Sequence, residues 1–551
     1  KWPLLGATVI AVTAFAPIGL SEDISGELIG TLFWVVLISL TLSWVTAITT
    51  TPFLSAMFFK NEKPAVEGEE VDPYKGVVFT SYRKFLQGCI RHRKKTMLLL
   101  IILLLGSVKG FGMLKNEFFP PMNLPKFMVD TWLPYNTDIR STAAEIKAME
   151  ALVLSHPEVT QVASSVGGGH VRFMLAYKPE KLYNNYGNLM ITVKDMDKLL
   201  DVMRDVRGML ESNFAGANYN FKRFEMGPAP DGRIEARFQG EDPDVLRDLS
   251  AQAKAIMASH ESTTAVRDDW RERTKVVRPV FNVEAARVLG ISKAQVDSVL
   301  LANFSGRSVG LYRDGSDLMP IIVRPPEFER TDINGVMELQ IWSHQLNKYV
   351  SLSQVVHRFD IEFEDPVIMR RDRTRTIMAM TDEDQMGSLT TAAVQKSFMA
   401  EVEAIELPEG YSMHWGGKHE TSMDALVALG EKLSGGYVVM ILITVLLFSS
   451  FKDAAVIWTV VPFAIIGVVV GLYTANMPFT FLALLGTMSL TGMLIKNAIV
   501  LVEEIKLQIH EGKEDYQAVI DASVSRVRPV SMAAVTTVLG MIPLITDGFF
   551  Q

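Results

Sequence analysis

The chain has 551 residues, of which 48% are hydrophobic, and a formal net charge of −8 at pH 7. The hydrophobic residues are collected in long blocks, which excludes an ordinary soluble protein and indicates a membrane protein. The mildly acidic balance argues against a nucleic-acid-binding protein, which needs a basic surface. Cys89 is the single cysteine, so no disulfide can form within the chain, and a large extracytoplasmic region without cysteines suits a bacterial periplasm.

Two apolar segments open the chain, at about 2–20 and 28–58, and both are long enough to cross a bilayer. Residues 60–95 follow, with nine Lys or Arg against five Asp or Glu. Within them, the stretch YKGVVFTSYRKFLQGCIRHRKK is amphipathic and basic, which predicts a helix lying on the membrane surface. The alternative is an ordinary solvated helix.

More apolar segments divide the rest of the chain. The predicted spans lie at about 96–113, 435–450, 455–474, 481–503 and 529–546. The positive-inside rule places the basic loops 60–95 and 504–528 in the cytoplasm. Counting crossings from either loop places the long polar region 115–430 outside, so the two loops agree.

The first and last spans resemble each other. Residues 2–18 align without a gap with residues 528–544, at an offset of 526, and both segments carry a proline at the second and the sixteenth position. The alternative is chance similarity between apolar helices. If the repeat is real, the intact protein is a tandem duplication of roughly a thousand residues. The chain is then expected to be an internal piece of it.

The region 115–430 repeats a strand–helix–strand pattern. The four units open with FMVDTWLP, NLMITVKD, RIEARFQG and TIMAMTDE, and each continues into a segment of helical periodicity and a second strand. Four β-α-β units predict two ferredoxin-like subdomains of two units each. The third unit is expected to end near residue 282 and the fourth to begin near 374, so residues 283–370 form an insertion.

One span contains a lysine. Residues 481–502 read FLALLGTMSLTGMLIKNAIVLV, and Lys496 lies inside this apolar run. A charge within a spanning helix costs roughly 2.5–3.5 kcal/mol, so it is usually paired and functional. Gly486, Ser489 and Gly492 share its helix face, which predicts close packing of another helix there. The alternative is a lysine that reaches the interface.

The functional interpretation of Lys496 is a switchable ion pair. When carboxylates that face the lysine are protonated, the pair is lost and the helices can repack. No Asp or Glu lies in the middle of any predicted span of this chain. The offset of the repeat therefore predicts the acidic partner about thirty residues before Lys1, on the equivalent helix of the first half.

Several of these segments resemble the resistance–nodulation–division (RND) superfamily. KNAIVLVEE, which begins at Lys496, is similar to part of its tenth helix, and RVRP, which begins at Arg526, is similar to the opening of its next helix. TTTPFLSAMF, at the end of 28–58, and NEFFPP, at 116–121, also resemble family motifs. The resemblance covers essentially the whole chain, from the fifth through the eleventh helix. It is greatest to the hydrophobe/amphiphile efflux branch.

The resemblance implies a fold and a set of domains. The fold is an α-helical polytopic membrane protein with a large α+β periplasmic domain, made of ferredoxin-like β-α-β porter subdomains plus an inserted docking subdomain. The implied divisions are 1–59 (transmembrane helices 5–6), 60–95 (cytoplasmic loop with a surface helix), 96–114 (transmembrane helix 7), 115–226 (first porter subdomain), 227–282 and 371–430 (second porter subdomain), 283–370 (docking insertion) and 431–551 (transmembrane helices 8–11).

The resemblance also implies an activity. It indicates a transporter driven by the proton motive force, a drug/proton antiporter of the multidrug-resistance kind, in the inner membrane of a Gram-negative bacterium. Such a protein is no enzyme and needs no cofactor and no bound metal, since H⁺ is the coupling ion. The implied partners are two further copies in a homotrimer, a periplasmic adaptor protein, an outer-membrane channel, small amphiphilic substrates and membrane lipids, with no nucleic acid.

The resemblance assigns roles to particular residues. Lys496 and Asn497 belong to the proton relay, with Lys496 paired to aspartates on a helix outside this chain, and Arg526 lies on the cytoplasmic proton route. The family often has a hydroxyl residue seven positions after that arginine, and this chain has Ala533 there. That link of the proton route therefore departs from the family pattern, and a hydroxyl from Thr536 or Thr537 is the alternative.

The predicted substrate path begins at a glycine run. Gly167, Gly168 and Gly169 occupy the place where efflux pumps have a flexible loop between two pockets, although such a run also suits a simple turn. Phe173, Tyr177 and Tyr183 are candidate pocket aromatics, with ordinary packing as the alternative. The chain has 28 methionines, but no spaced methionine cluster stands out in the outer region, and methionine is also a common core residue.

Two other functions remain open from the sequence. One is a heavy-metal cation exporter of the same superfamily. The other is a receptor or a protein-export factor with related helices, which the insertion 283–370 disfavours because such proteins need no channel-docking element. The chain has no phosphate-binding loop of the GxxxxGK[ST] type, so ATP is not the expected energy source.

Overall fold

A computed structural model of the protein describes residues 2–21, 24–58, 74, 76–117, 119–174, 177–225, 227, 232–326 and 334–546. The chain divides into two compact units. The first unit comprises Lys1–Asp269 and Met369–Gln551, and the second comprises Trp270–Ile368.

The helices, in chain order, are α1 (Trp2–Gly19), α2 (Ile24–Phe58), α3 (Val77–Arg91), α4 (Arg93–Phe111), α5 (Ile139–Leu154), α6 (Leu199–Asn213), α7 (Pro243–Ala258), α8 (Val283–Leu289), α9 (Lys293–Phe304), α10 (Thr391–Glu403), α11 (Lys418–Phe448), α12 (Phe451–Val460), α13 (Ala464–Thr474), α14 (Phe481–His510) and α15 (Asp515–Thr546).

The strands are β1 (Lys126–Trp132), β2 (Val159–Val166), β3 (Tyr186–Val193), β4 (Asn218–Arg223), β5 (Ile234–Gly240), β6 (Thr263–Asp268), β7 (Thr274–Phe281), β8 (Arg307–Asp314), β9 (Asp317–Val323), β10 (Gln340–Ser343), β11 (Lys348–Ser351), β12 (Val356–Glu364), β13 (Arg370–Arg371), β14 (Thr374–Glu383) and β15 (Ser412–Gly417).

Four helical segments in the described part of the chain are long and apolar enough to cross a membrane. They are Gly30–Phe58, Lys418–Phe448, Phe451–Thr474 and Phe481–His510. The third combines α12 and α13, which are separated by a short 3₁₀ turn containing Pro462, because proline cannot continue the α-helical hydrogen bonds. α11 begins at Lys418, well before the span predicted from residue 435, so its first turns extend beyond the apolar segment.

α1 packs against α2, α11 and α14. Ala7 and Ala14 of α1 are buried with Ile495 of α14 in one apolar cluster. A Cβ atom on Gly492 would lie 3.2 Å from the Cβ of Ala14, so glycine permits the close contact between the two helices. Gly486, predicted on the same packed face, is exposed, and a Cβ atom added to it would have no neighbour within 4 Å among the described residues.

Outside the membrane helices, the first unit contains two sheets of the same topology. The first has the order β4-β1-β3-β2, and the second has the order β15-β5-β14-β6, with all pairs antiparallel. The short strand β13 forms a hairpin with β14. Each sheet combines two β-α-β units, so the predicted pair of ferredoxin-like subdomains is confirmed. We call them the first subdomain (β1–β4) and the second subdomain (β5, β6, β14 and β15).

The apolar faces of the helices form the core of the first subdomain. α5 and α6 place apolar residues at helical spacing against the sheet, and the buried set includes Phe127, Val129, Ile146, Met149, Val153, Leu189, Ile191, Val202, Met203, Val206 and Leu210. Alternate residues of a strand point to opposite faces, yet β1 and β3 are almost entirely buried. Their second faces therefore line the protein interior, where the candidate site lies.

The second unit has its own small core. β7 pairs with β12, β8 with β9 and β10 with β11, and α8 and α9 contribute to a separate apolar cluster. The insertion was predicted to start at 283 and end at 370, with β7 inside the second subdomain. Because β7 pairs with β12 and with no strand of the β5 sheet, the boundary moves to Asp269 and Trp270.

Candidate functional site

Lys496 lies on α14, one helical turn after Gly492, and its side chain is half-buried. Ile495 and Ile499 flank it and are fully buried in the cluster formed with α1 and α11. Among the residues that the structure describes, Lys496 forms no hydrogen bond and no ion pair. Its acidic partner was predicted on a helix outside this chain, and that partner stays a prediction. Asn497, the next residue, is also half-buried.

Arg526 is paired within this chain. It lies on α15, and its guanidinium donates a hydrogen bond to the carboxylate of Glu504 near the end of α14. The other oxygen of Glu504 accepts from the Gln508 side-chain amide at 2.9 Å. This pair was not predicted from the sequence. The signal was available, because α14 and α15 are joined by a short loop and must lie side by side.

A second candidate site lies between the two subdomains outside the membrane. Its pocket is lined by Met128, Asp130, Met174, Tyr177, Lys178, Pro179, Glu180, Tyr186, Lys222, Arg223, Phe224, Glu225, Arg233 and Asp382. These residues come from β1, β3 and β4, from the loop between β2 and β3, from the segments directly after β4 and directly before β5, and from β14. The pocket therefore combines thioether, aromatic and charged groups.

The charges of the pocket are compensated. Asp130 accepts hydrogen bonds from the Tyr186 hydroxyl at 2.7 Å and the Asn188 amide at 2.6 Å, and the Lys222 ammonium lies 2.7 Å from its other oxygen. Burial opposes ionisation, but Lys222 and these hydrogen bonds hold the pKa of Asp130 below its usual value. Burial and the neighbouring Asp130 charge raise the pKa of Tyr177 to about 12. Asp130 is thus an anion and Tyr177 a neutral phenol at neutral pH.

The predicted glycine run packs against the loop segment that contains Glu180, one of the residues that line the pocket. Gly167 has a φ of +79°, which favours glycine, and Gly167 and Gly168 are buried. The backbone NH of Gly169 donates to the Glu180 carbonyl at 3.1 Å, and a Cβ on Gly169 would lie 2.5 Å from the Glu180 nitrogen. Backbone conformation and close packing thus account for the glycines, and their role in a substrate path stays a prediction.

Phe173 stands beside the pocket and is 52% exposed. Its ring stacks on Tyr177 at a centroid distance of 4.9 Å and meets Phe224 edge-on at 5.8 Å. The Tyr177 hydroxyl accepts a hydrogen bond from the backbone NH of His170 at 3.0 Å, and His170 directly follows Gly169. Phe173 therefore lies close to the predicted glycine run. This aromatic group is available to apolar ligands.

Methionines also gather here, which the sequence did not predict. Met122 and Met128 are buried beside Tyr177 and Phe224, with Met174 and Met190 packed against them. Their spacing along the chain is irregular, because they come from β1, β3 and two loops. A chain-order search for methionine clusters could not find a set that only the folded sheet assembles.

A buried charge cluster closes the base of the pocket. We define it as Glu225, Arg233, Asp382, Glu383 and Lys418. The guanidinium of Arg233 contacts Glu225 at 2.5 Å and also pairs with Glu383, and the Lys418 ammonium lies 2.8 Å from Glu225. The side chain of Arg233 is only 8% exposed.

Asp382 is a buried acid of this cluster with several hydrogen-bond donors. It accepts hydrogen bonds from the Arg233 backbone at 2.8 Å, from the Asn220 amide at 2.7 Å and from the Arg267 guanidinium at 3.1 Å. Burial opposes its ionisation, but the Arg267, Lys222 and Arg233 cations lower the pKa of Asp382 to about 2. Because Asn220 belongs to β4 and Asp382 to β14, the cluster ties the two subdomains together.

The same cluster reaches the membrane helices. Lys418 and Glu420 lie in the first turn of α11, which continues into a candidate span. Lys418 pairs with Glu225, and Glu420 contacts Arg237 of β5 at 2.5 Å and Arg371 at 2.8 Å. The N-terminal end of α11 is therefore held by ion pairs to the two subdomains.

These features define a class, a polytopic helical membrane protein with two ferredoxin-like subdomains and a second unit inserted into one of them. The chain belongs to the AcrB/AcrD/AcrF family, whose model matches residues 1–548. The predicted membership of the RND superfamily and the predicted fold class are thereby confirmed.

Similar proteins support the same assignment. The chain is 22% identical over 550 residues to the swarming motility protein SwrC of Bacillus subtilis, covering 98% of this chain and 50% of that protein. It is 22% identical to the cobalt-zinc-cadmium resistance protein CzcA of Cupriavidus metallidurans (98% and 51%) and 19% identical to the multidrug resistance protein MdtC of Yersinia pestis (98% and 52%). The chain thus spans about half the length of the curated relatives it matches.

A solved structure shows the same fold. The crystal structure of a heavy metal efflux pump superposes with a TM-score of 0.79 at 17% identity, over 98% of this chain and 53% of that chain. At this identity the likeness concerns the fold, and the choice of substrate has to be argued from the residues of this chain.

Proposed function

We propose that the chain is part of a proton-driven exporter of hydrophobic or amphiphilic compounds. Lys496 carries the proposal, because it is a cation on a candidate membrane helix and forms no ion pair with any described residue. An ionisable residue inside a span is a functional site by default. Carboxylates facing Lys496 in the assembled membrane domain would pair with it when ionised and release it when protonated.

The extramembrane pocket supports an organic substrate. Phe173, Tyr177 and Phe224 offer ring faces and edges, and the buried methionines beside them are deformable apolar groups. The Lys222 ammonium already compensates the charge of Asp130, so a bound ligand does not have to neutralise either group. An amphiphile can place its apolar part on the rings while its polar part stays near the compensated charges.

Metal export is the alternative function, and relatives favour it. CzcA is named for cobalt, zinc and cadmium resistance, and the superposed structure is titled a heavy metal efflux pump. Among the described residues no three His, Cys, Asp or Glu side chains form a group that could hold a metal ion. The grouped thioethers of Met122, Met128, Met174 and Met190 would suit a soft cation such as Cu(I) rather than zinc.

The proposed cellular setting follows the family. We place the protein in the inner membrane of a Gram-negative bacterium, with both ferredoxin-like subdomains and the second unit in the periplasm. The proposed assembly is a homotrimer with a periplasmic adaptor and an outer-membrane channel, and the inserted unit Trp270–Ile368 is the proposed docking element. The basic loops predicted on the cytoplasmic side support this orientation.

Lys496→Ala tests the coupling. At equal expression of the intact protein, the variant is expected to restore intracellular accumulation of an exported dye to the level of cells without the protein. Lys109→Ala is the matched control, because Lys109 is an exposed lysine in the last turn of α4, and it should leave export unchanged. Unchanged dye export in Lys496→Ala cells would contradict the proposed coupling.

Two pocket variants separate the substrate classes. Phe173→Ala removes the exposed ring and should reduce export of aromatic dyes and detergents, with silver and copper susceptibility unchanged. Met128→Leu keeps the apolar volume and removes the thioether, so it should leave dye export intact. A rise in silver susceptibility with Met128→Leu, without any effect of Phe173→Ala, would favour the metal exporter.

A further inference from the structure

The helix α3 exposes two different surfaces. Val78 and Phe85 are seven residues apart and are 68% and 67% exposed. Lys84 and Arg91, also seven residues apart, are exposed too. Seven residues make two helical turns, so each pair forms a row along the helix. A helix with an apolar row and a basic row is typical of the headgroup region of a bilayer.

The basic surface continues into α4. Arg93, Lys94 and Lys95 form the exposed start of that helix, directly before its apolar run. Together with Lys84 and Arg91 they concentrate positive charge at the predicted cytoplasmic end of a predicted span. Clusters of four to eight basic residues beside a membrane helix attract anionic headgroups.

The opposite side of α3 is attached to the membrane domain. Phe79, Leu86 and Ile90 are partly buried and repeat at helical spacing, and α3 packs on α15. On this side, the guanidinium of Arg83 lies 3.5 Å from an oxygen of Asp521. Most of the exposed basic residues therefore lie away from this contact. They can face a membrane while α3 stays packed on α15.

From Asp521 a continuous polar chain leads to Arg526. The Lys513 ammonium lies 3.3 Å from Asp521 and donates a hydrogen bond to the Gln508 side-chain oxygen at 3.2 Å. Gln508 donates to Glu504 at 2.9 Å, and Glu504 accepts from Arg526. We call this set the polar chain: Arg83, Asp521, Lys513, Gln508, Glu504 and Arg526.

We propose that α3 and the start of α4 bind the headgroups of anionic phospholipids, and that the polar chain connects this binding surface to Arg526. Charge complementarity selects the occupant, since five exposed cations at the end of a predicted span face a bilayer that contains anionic lipids. Movement of α3 toward the headgroups displaces Arg83, which alters the partners of Asp521 and hence the position of Lys513. The consequence for transport rests on the proposed function, whereas headgroup binding does not.

Lipid selectivity measures the binding step directly. The intact protein is reconstituted in phosphatidylcholine bilayers, and electron paramagnetic resonance compares its association with spin-labelled phosphatidylglycerol and spin-labelled phosphatidylcholine. Wild type is expected to prefer phosphatidylglycerol. Joint replacement of Arg91, Arg93, Lys94 and Lys95 by Gln should reduce that preference about tenfold or more, because each basic residue near an anionic surface strengthens attraction roughly fivefold.

The matched control changes the same net charge elsewhere. Lys147, Lys181, Lys293 and Lys396 are exposed lysines of the two subdomains and the second unit, and their joint replacement by Gln should leave the lipid preference unchanged. High salt should weaken the wild-type preference, since exposed charges are screened. Equal association of the two lipids with wild type, or an equal loss of preference in both quadruple variants, would overturn the headgroup proposal.

Hydrogen–deuterium exchange tests the connection to Arg526. In wild type, addition of phosphatidylglycerol to the bilayer should slow amide exchange in residues 511–528 at least about threefold. Asp521→Asn breaks the link to Arg83 and should abolish this slowing while the lipid preference remains. Equal slowing in wild type and Asp521→Asn would overturn the polar chain, and an export defect in Lys496→Ala cells would be unaffected by either result.

Discussion

Two regions of the molecule treat buried charge in opposite ways. In the extramembrane cluster, Arg233 has Glu225 and Glu383 as partners, and Asp382 receives three hydrogen bonds. On α14, Lys496 has no partner among the described residues. The first arrangement fixes two subdomains and a helix in one geometry. Under the proposed function, the second leaves a charge whose energy depends on groups contributed by other parts of the assembled protein, and such a charge can act as a switch.

The two kinds of charge suit different tasks. A buried ion pair gives little net stability, but removal of one partner is strongly destabilising because a charge is left without compensation. Any rearrangement that separates the charges of the extramembrane cluster therefore has a large free-energy cost. An unpaired lysine in a span gives two states of similar energy once a titrating carboxylate approaches it. Structural and switching charges can thus be distinguished by substitution.

The largest effect is expected for Arg233→Met. The change leaves Glu225 and Glu383 buried without their shared cation, which should destabilise the folded protein by about 3–5 kcal/mol. Thermal unfolding of the detergent-purified protein, followed by tryptophan fluorescence, measures the loss. Arg358→Met is the control, because Arg358 pairs with Asp360 on an exposed strand, where solvent screens the pair and its loss changes stability little. Equal melting temperatures for the two variants would contradict the role of the cluster.

A smaller effect is expected for Lys222→Met. Asp130 loses its cation but keeps hydrogen bonds from Tyr186 and Asn188, so the cost should be about 1–3 kcal/mol. The pKa of Asp130 should rise in this variant, because Lys222 is the cation that lowers it. The loss of stability should therefore be greatest at neutral pH and shrink as Asp130 becomes protonated in acid.

Lys198→Met controls for the loss of a lysine from the same subdomain. Lys198 pairs with Glu158 and is 53% exposed, so its replacement should change the melting temperature little at any pH. A melting-temperature difference between Lys222→Met and wild type that does not depend on pH would argue against Asp130 as the affected group.

Asp269 is an acid of the extramembrane region with too few partners. One of its oxygens accepts from the Met378 backbone at 2.8 Å, and the other is buried without a hydrogen-bond partner among the described residues. Burial, together with Asp268 and Glu235, raises the pKa of Asp269 to about 7 from an ordinary value of 3.8. The folded state thus binds its proton more tightly than the unfolded state does. The contribution of protonated Asp269 to the stability of the folded state is complete below pH 3.8 and is lost as the pH rises through 7.

Asp269→Asn should remove this pH dependence. The variant is expected to gain about 1–2 kcal/mol over wild type at pH 8, where wild type contains the costly carboxylate, and to show no advantage at pH 4. Melting temperatures of both proteins between pH 4 and 8 provide the measurement. Asp248→Asn serves as the control, because Asp248 is exposed. Parallel pH curves for Asp269→Asn and wild type would exclude Asp269 as the source.

The parts of the fold that depend on local pattern could be predicted from the sequence. α5, α6, α7 and α10 carry apolar residues at helical spacing between strand-like segments, and their order alone defines ferredoxin-like units. Lys496 could be identified as unusual because a charged residue within an apolar run can be seen directly in the linear sequence. In each case a few consecutive residues contain the information.

The parts that depend on distant pairing could not be predicted. Because β7 follows β6 closely in the chain, both strands were predicted in the same subdomain. The strand that pairs with β7 is β12, which lies far along the chain. Arg233, Asp382 and Lys418 belong to three separate segments of the chain. Nothing in the sequence around any one of them distinguishes it from an ordinary charged surface residue. Periodicity reports which face of an element is buried. It does not report which charges will meet across that face.

The smallest effect on stability is expected at Lys496, where transport should change most. Lys496→Met replaces the charge by an apolar chain of similar length, and no described carboxylate loses a partner. The melting temperature should therefore stay within the range set by Lys109→Met, a lysine in the last turn of α4, while dye export is lost. If Lys496→Met instead destabilises the protein as much as Arg233→Met, about 3–5 kcal/mol, the lysine has a permanent buried partner. It would then belong with the structural charges rather than with the switch.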